Sequence, residues 1–290
     1  MVNIHFRGKT YPGGFWGPRT ATLDWCEPNY KHSPYIAEMA NSVSNLIMLL
    51  FAVIGFALVQ KERLPTRYLL AQLVPFSLAF AAVAVGSFAF HGTLLYEMQL
   101  LDELPMIISS STSIYCLFDT GKGFALNKLF TTALVVANIF FAGTYSTIWR
   151  HPLYHQGVFA IAMISIPSRT TYLLNSSKGK GLSARQRHQI ITLNVTGAIL
   201  FIAGFAIWNV DNIWCEVWDG IKYKINWPAA FLLEGHSWWH LFIGAGTYYL
   251  LVGISYLTLA VKDIPSRYTL KYFLGLPYSA RASSTLDKKK

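Results

Sequence analysis

The sequence predicts an all-α, polytopic membrane protein built as a seven-transmembrane helix bundle. Of its 290 residues, 53% are hydrophobic and only 13% are charged, against about a quarter charged in a soluble globular chain. The apolar residues gather into runs of roughly 20, the length a helix needs to cross about 30 Å of hydrocarbon. Many of the 9 Trp and 16 Tyr sit at the ends of those runs, where aromatic rings anchor at the headgroup level. A net charge of +10 could suit a nucleic-acid partner, but the basic residues lie between and after the apolar runs and form no stripe. Membrane topology accounts for them better, and no nucleic-acid partner is expected.

Taken in order, the spans fall near residues 35–59, 66–90, 94–118, 128–148, 153–174, 189–213 and 234–261. The loops after spans 1, 3 and 5 and the tail after span 7 hold 16 Lys and Arg, among them Lys61, Arg63, Arg67, Lys178, Arg187 and Lys288, against 7 on the other side. Positive loops stay in the cytosol, so the N-terminus is placed in the lumen and the C-terminus in the cytosol. The chain then divides into a lumenal N-terminal segment (1–34), a transmembrane domain (35–261) and a cytosolic tail (262–290) whose end, from Ser279, reads as polar and disordered. No cleavable signal peptide is visible ahead of span 1.

Ionisable groups inside a membrane are costly and mark function. Here they are concentrated. Ser87 and His91 stand four apart at the end of span 2, and Asp102 and Glu103 lie early in span 3. His236 and His240, in Glu234-Gly-His-Ser-Trp-Trp-His, stand four apart at the start of span 7, a spacing that lets two imidazoles converge on one metal. The topology puts all three histidines and Asp102 toward the lumenal face. A single histidine at a helix end is more often an interfacial hydrogen-bonding group than a ligand, but convergence of three predicts an open, catalytic type of zinc site. Such a site lowers the pKa of a bound water toward about 7. His5, His32 and His188 read as solvated or interfacial. His151 and His155 also stand four apart, but Pro152 between them argues against one continuous helix, and they read as structural.

Before span 1, Asp24, Trp25, Glu27 and Asn29, followed by Glu38, form a second cluster of hard oxygen donors. Calcium would suit them, yet the cluster lacks the 12-residue loop of an EF-hand, and acidic residues near a helix start also serve the helix dipole. Both readings stand at this point. Cys26 and Cys215 fall on the lumenal side, where disulfides persist, and one bridge between them is the natural assignment. Cys116 lies late in span 3.

The stretches GFWGPRTATLDWCEPNY, YIAEMANSVSNLIM, GSFAFHGTLLYEMQLLDELPMI, FAIWNVDNIWCE and HSWWHLFIGAGTY, running in that order from Gly14 to Tyr248, resemble the alkaline ceramidases. The resemblance implies zinc on His91, His236 and His240, with Ser87 and Asp102 beside it as catalytic groups. It implies calcium on Asp24, Glu27, Asn29, Glu38 and the carbonyl of Trp25, and a disulfide between Cys26 and Cys215. The implied reaction is hydrolysis of the ceramide amide, in the endoplasmic reticulum or Golgi, with a ceramide-type lipid and the bilayer as partners and no obligate protein partner evident. The main alternative is a seven-span lipid sensor in the manner of adiponectin receptors, with a structural zinc. A transporter would be expected to carry inverted repeats and broken helices, and the sequence has neither.

Overall fold

The computed structural model describes residues 14–62, 64 and 78–282. The N-terminal half of predicted span 2, with Arg67, and His5 and the terminal lysines lie outside the described residues. In chain order the helices are α1 (Met39–Lys61), α2 (Phe80–Thr93), α3 (Tyr96–Phe118), α4 (Lys128–Thr147), α5 (Pro152–Asn175), α6 (Ala184–Ile213), α7 (Cys215–Ile225) and α8 (Gly235–Lys262). Five of them, α1, α4, α5, α6 and α8, are long and apolar enough to cross a membrane. The described part of predicted span 2 is α2, 14 residues long and apolar, and α3 has 23 residues and matches predicted span 3.

The distribution of polarity is inverted relative to a soluble protein. Leu50, Val53 and Phe56 of α1, Ile139 and Phe140 of α4, Ile164 of α5 and Ile202 of α6 face outward, while Asn41, Asn45, Ser87, His91, Gln99, Glu103, His236 and His240 are buried. Without water in the hydrocarbon layer, polar groups turn inward toward one another and apolar ones face the lipid. The fold is that of an integral membrane protein.

The central helix is α8. Of its apolar stretch 72% is buried, against 17% to 39% for the other four long apolar helices. Its main contact is with α6, where Gly197 and Gly246 face each other so closely that a Cβ on either would lie 2.9 Å from the other's carbonyl oxygen. Small residues at such a crossing let two helix backbones approach, which is how packing is gained among helices already surrounded by apolar lipid. A second close approach joins α2 to α3. Pro105 interrupts the hydrogen-bond ladder of α3, since proline has no N–H to offer the Leu101 carbonyl one turn back. Gly86 of α2 packs on that carbonyl, and a Cβ there would lie 2.1 Å from Leu101 O and 2.7 Å from the Asp102 nitrogen.

Three expectations change. The chain is not wholly α-helical, because Tyr268–Phe273 (β1) and Leu276–Arg281 (β2) pair as an antiparallel hairpin, turned at Leu274 and Gly275, both with positive φ as a two-residue primed turn requires. The tail is therefore ordered through the start of the segment expected to be disordered, with Ser279 and Ala280 buried. Tyr278 and Ala280 pack on Leu58 of α1, and Tyr248 Oη of α8 donates to the Pro277 carbonyl at 2.9 Å. Glu38, expected just inside the first helix, is its N-cap, with extended φ and ψ. His151 caps α5 by accepting from Leu153 N, and Pro152 occupies the first helical turn, where its missing N–H costs nothing.

Replacing Gly246 with Val should force α6 from α8 and destabilise the bundle by about 1–3 kcal/mol. Thermal unfolding in detergent checks this, with a clear fall in midpoint expected.

Candidate metal centre

The site sits where the start of α1, the end of α2 and the starts of α3 and α8 meet. His236 and His240 lie one turn apart on α8, and His91 reaches them from the last turn of α2. The ring centroids of His91 lie 5.0 Å from His236 and 4.9 Å from His240, with 4.6 Å between the last two. One nitrogen from each ring falls within 4.8 Å of the others, and all three residues are buried. The three predicted ligands are thus brought together.

Hydrogen-bond partners stand behind two of the rings. His91 Nδ1 lies 2.5 Å from Glu38 Oε2, and the tautomer with the proton on Nδ1 leaves Nε2 as a lone-pair donor. Ser44 Oγ donates its only proton to the Asn41 carbonyl at 2.9 Å and lies 2.8 Å from His240 Nδ1. With Nδ1 protonated, His240 donates to that oxygen and carries its lone pair on Nε2. The His236 ring stacks on Trp25 at 4.0 Å and 13°, and its Nδ1 is buried with no hydrogen-bond partner. A buried, unpartnered imidazole nitrogen beside two oriented ones fits a bound divalent metal.

Asp102 and Ser87 stand beside the histidines. The Ser87 hydroxyl is hydrogen-bonded to the Asp102 carboxylate, and Ser87 Oγ lies 3.5 Å from His240 Nε2. The close packing of Gly86 on Leu101 holds this pair in register. Glu103, the next residue, turns to Tyr145 Oη at 2.5 Å and Gln99 Nε2 at 3.2 Å. His155 Nε2 meets the Glu103 carbonyl at 3.0 Å, consistent with its structural reading.

A cavity of about 390 Å³ runs from this cluster into the bundle. Ser87, His91, Asp102, His236 and His240 line it, as do the apolar Met163, Ile166, Leu250, Leu251 and Ile254. From His240 to Ile254, α8 rises about 21 Å. The cavity combines this polar cluster with a long, mainly apolar wall that also carries Ser109, Ser110 and Ser113 of α3.

The acidic set is arranged differently. Arg19 pairs with Asp24 at 3.0 Å, and Asn29 Nδ2 donates to Asp24 Oδ1 at 3.1 Å. The Glu27 carboxylate accepts from Ala40 N at 2.7 Å and Asn41 N at 2.9 Å, capping α1 from outside the helix. Glu38 Oε1 accepts from Trp25 N at 3.2 Å. The capping reading of these acids is therefore realised for Glu27. Their chemistry also fits a hard cation. Burial, with Glu38 nearby, pushes the Glu27 carboxyl up to about 8. The buried Asn29 Oδ1 has no partner, and each carboxylate has lone pairs to spare.

Cys26 and Cys215 form a disulfide, which ties the N-terminal segment to the start of α7. Sequence reasoning missed Ser44, Asn41, the stacking of Trp25 and the bond from His91 to Glu38. The signal for the first two was present, because Asn41, Ser44 and Asn45 recur at helical spacing at the start of an apolar run.

The fold and cluster together define an integral membrane protein with three buried histidines that could hold a metal ion at one end of a largely apolar cavity. A family model described as Ceramidase matches residues 17–280. The chain is 33% identical to alkaline ceramidase 3 of Mus musculus over 270 residues, covering 91% of this chain and 92% of that protein. It is 31% identical to alkaline ceramidase YPC1 of Saccharomyces cerevisiae, with 94% and 89% covered, and 26% identical to an alkaline ceramidase of Arabidopsis thaliana, with 91% and 94% covered. The chain belongs to the ceramidase family.

Glu38 was expected to serve only the acidic cluster, yet it orients His91. Glu38→Ala should therefore lower affinity for zinc by about 10- to 100-fold, read by competition against a chromophoric chelator.

Proposed function

We propose that this protein is a zinc-dependent ceramidase that cleaves the amide of ceramide to a sphingoid base and a free fatty acid. The observation that carries the reading is the cavity itself, whose polar cluster unites three metal-competent imidazoles with a carboxylate and a hydroxyl, continuous with an apolar wall inside the bundle. A two-chain lipid with an amide between its chains matches that division. The names of the relatives point the same way.

His91, His236 and His240 would hold the metal. When bound, zinc would lower the pKa of a water and act as a Lewis acid toward the amide carbonyl. Asp102 takes the proton of the attacking water and later delivers it to the leaving nitrogen, so hydroxyl adds to the acyl carbon, the C–N bond breaks and the amine leaves neutral. Ser87 donates to Asp102 while the carboxylate is charged. Once Asp102 has taken the proton, the serine hydroxyl is released to donate to the developing oxyanion. The apolar wall holds the chains and excludes water.

The same reading takes α2 and α3 as belonging to two further spans. The total is then seven, with the N-terminus lumenal, the tail cytosolic and the metal centre toward the lumen of the endoplasmic reticulum or Golgi. Calcium on Asp24, Glu27, Asn29, Glu38 and the Trp25 carbonyl would fasten the N-terminal segment to α1 and neutralise carboxylates that are costly to bury charged. Because Glu38 belongs to both sets, occupancy of one would steady the other. A structural-zinc receptor would have no use for the carboxylate and hydroxyl beside its metal.

Purified protein should release fatty acid from ceramide and stop when zinc is chelated. His236→Ala and His240→Ala should each abolish turnover and lower zinc content. Full zinc in both variants would remove them as ligands. Asp102→Asn should keep zinc but lose about 10²- to 10⁴-fold in rate, and turnover at the wild-type rate would exclude the proton-transfer role.

A further inference from the structure

The helix that carries two of the three histidines starts without a cap from its own sequence. Glu234, the N-cap residue of α8, makes no side-chain cap hydrogen bond, and its carboxylate is drawn away to Lys222 Nζ at 2.8 Å. The first backbone N–H groups of any helix need an outside acceptor. Here it comes from a different helix. Gly235 N–H donates to Asp211 Oδ1 of α6 at 3.2 Å, and the N–H of His236 also donates to that carboxylate. Asp211 is only 4% exposed, and a carboxylate at a helix N-terminus is further favoured by the helix dipole.

The residue at position 235 is part of the same device. A Cβ there would lie 2.7 Å from Asp211 Cβ and 2.9 Å from its Oδ1, so the carboxylate reaches the helix start only because position 235 is glycine. Asp211 itself is fixed by the long packing of α6 on α8. Gly204, two turns earlier, would place a Cβ 2.9 Å from Phe242 Cβ, which leaves α6 little freedom to slide. His236 is the second residue of α8, and His240 follows one turn later. The phase of the first turn therefore decides where both imidazoles point.

We infer that Asp211 is a positioning residue for the metal centre, holding the first turn of α8 so that His236 and His240 converge with His91. The inference rests on the metal-site reading and adds a residue that touches neither metal nor substrate. The side chain acts through two backbone N–H groups rather than through its charge alone, so the residue type that matters is an acceptor of the right length. Asparagine has one; alanine does not.

The test uses the full-length protein in detergent, stripped of metal and titrated with Co²⁺, whose visible absorption reports its ligand set. Asp211→Ala should weaken cobalt binding about 10-fold or more and change the absorption spectrum. Asp211→Asn should restore both to within about threefold of wild type, because Asn and Asp cap helices comparably. Gly235→Ala, which keeps the carboxylate but pushes it off the helix start, should reproduce the alanine phenotype and carries the test alone if Asp211→Ala does not fold. The double variant should be no worse than either single one, since both remove the same contact. Wild-type affinity and spectrum in Asp211→Ala, or losses that add in the double variant, would overturn the inference. His240→Ala separates the two levels. If it binds cobalt as well as wild type, the metal-site reading falls and the positioning role with it. A dead His240→Ala beside an unaffected Asp211→Ala overturns the positioning role alone.

Discussion

A polar group placed inside this bundle has only protein to pair with, because the surrounding hydrocarbon offers no partner. That constraint orders the whole site. His91 leans on Glu38, His240 on Ser44, Ser87 on Asp102, and Glu103 on Tyr145 and Gln99. All of these except the Glu103–Gln99 bond, which lies within α3, join two different elements of the chain, so the hydrogen bonds that make burial tolerable also fix α1, α2, α3, α4 and α8 relative to one another at one end. His91 and His240 are held by the same bonds that hold the helices. Stability and preorganisation are here one arrangement seen from two sides.

The other end of the bundle is held by different physics. There Leu117, Leu173, Ile190, Leu257 and Leu259 are buried together, the Lys262–Asp119 pair closes the end of α8 at 2.8 Å, and the hairpin of β1 and β2 is wedged against α1 and α8. Packing among apolar groups gains little over lipid contact unless backbones come close, and the glycines of α6 and α8 supply that closeness. Between the two ends runs the cavity, walled by helices whose outer faces meet lipid. A long apolar ligand can therefore lie inside the bundle while its polar midpoint reaches the histidines.

Much of this was legible in the sequence. Apolar runs gave the helices because a membrane leaves the backbone few alternatives, and the i, i+4 spacing put His236 and His240 on one face because helical periodicity is a local property. The convergence of His91 with that pair followed from counting spans, a global inference that works when segments cross a layer of fixed thickness. What was missed is instead tertiary. Nothing local in Glu38 distinguishes a ligand of calcium from a partner of His91, and it contacts residues of both sets. The hairpin was missed because Tyr268 to Arg281 is short, mixed in polarity and follows the last span, features that a disordered tail shares. Its strands are ordered by contacts with Leu58 and Tyr248 far away in sequence.

The glycines mark the limit of local reading most clearly. In the sequence Gly86, Gly235 and Gly246 look like weak points in helices, each costing about 1 kcal/mol relative to alanine. In the structure each admits a neighbour that no side chain would tolerate: the Leu101 carbonyl, the Asp211 carboxylate and the Gly197 carbonyl. Two of the three neighbours belong to the wall or support of the metal centre. The local cost of glycine is accepted where it brings the functional helices together, so the positions where helix propensity is worst are those on which the placement of Asp102 and His236 depends. A site assembled from four helix ends needs its precision at the crossings, and at a crossing the absence of a side chain is what brings backbone and functional group into register.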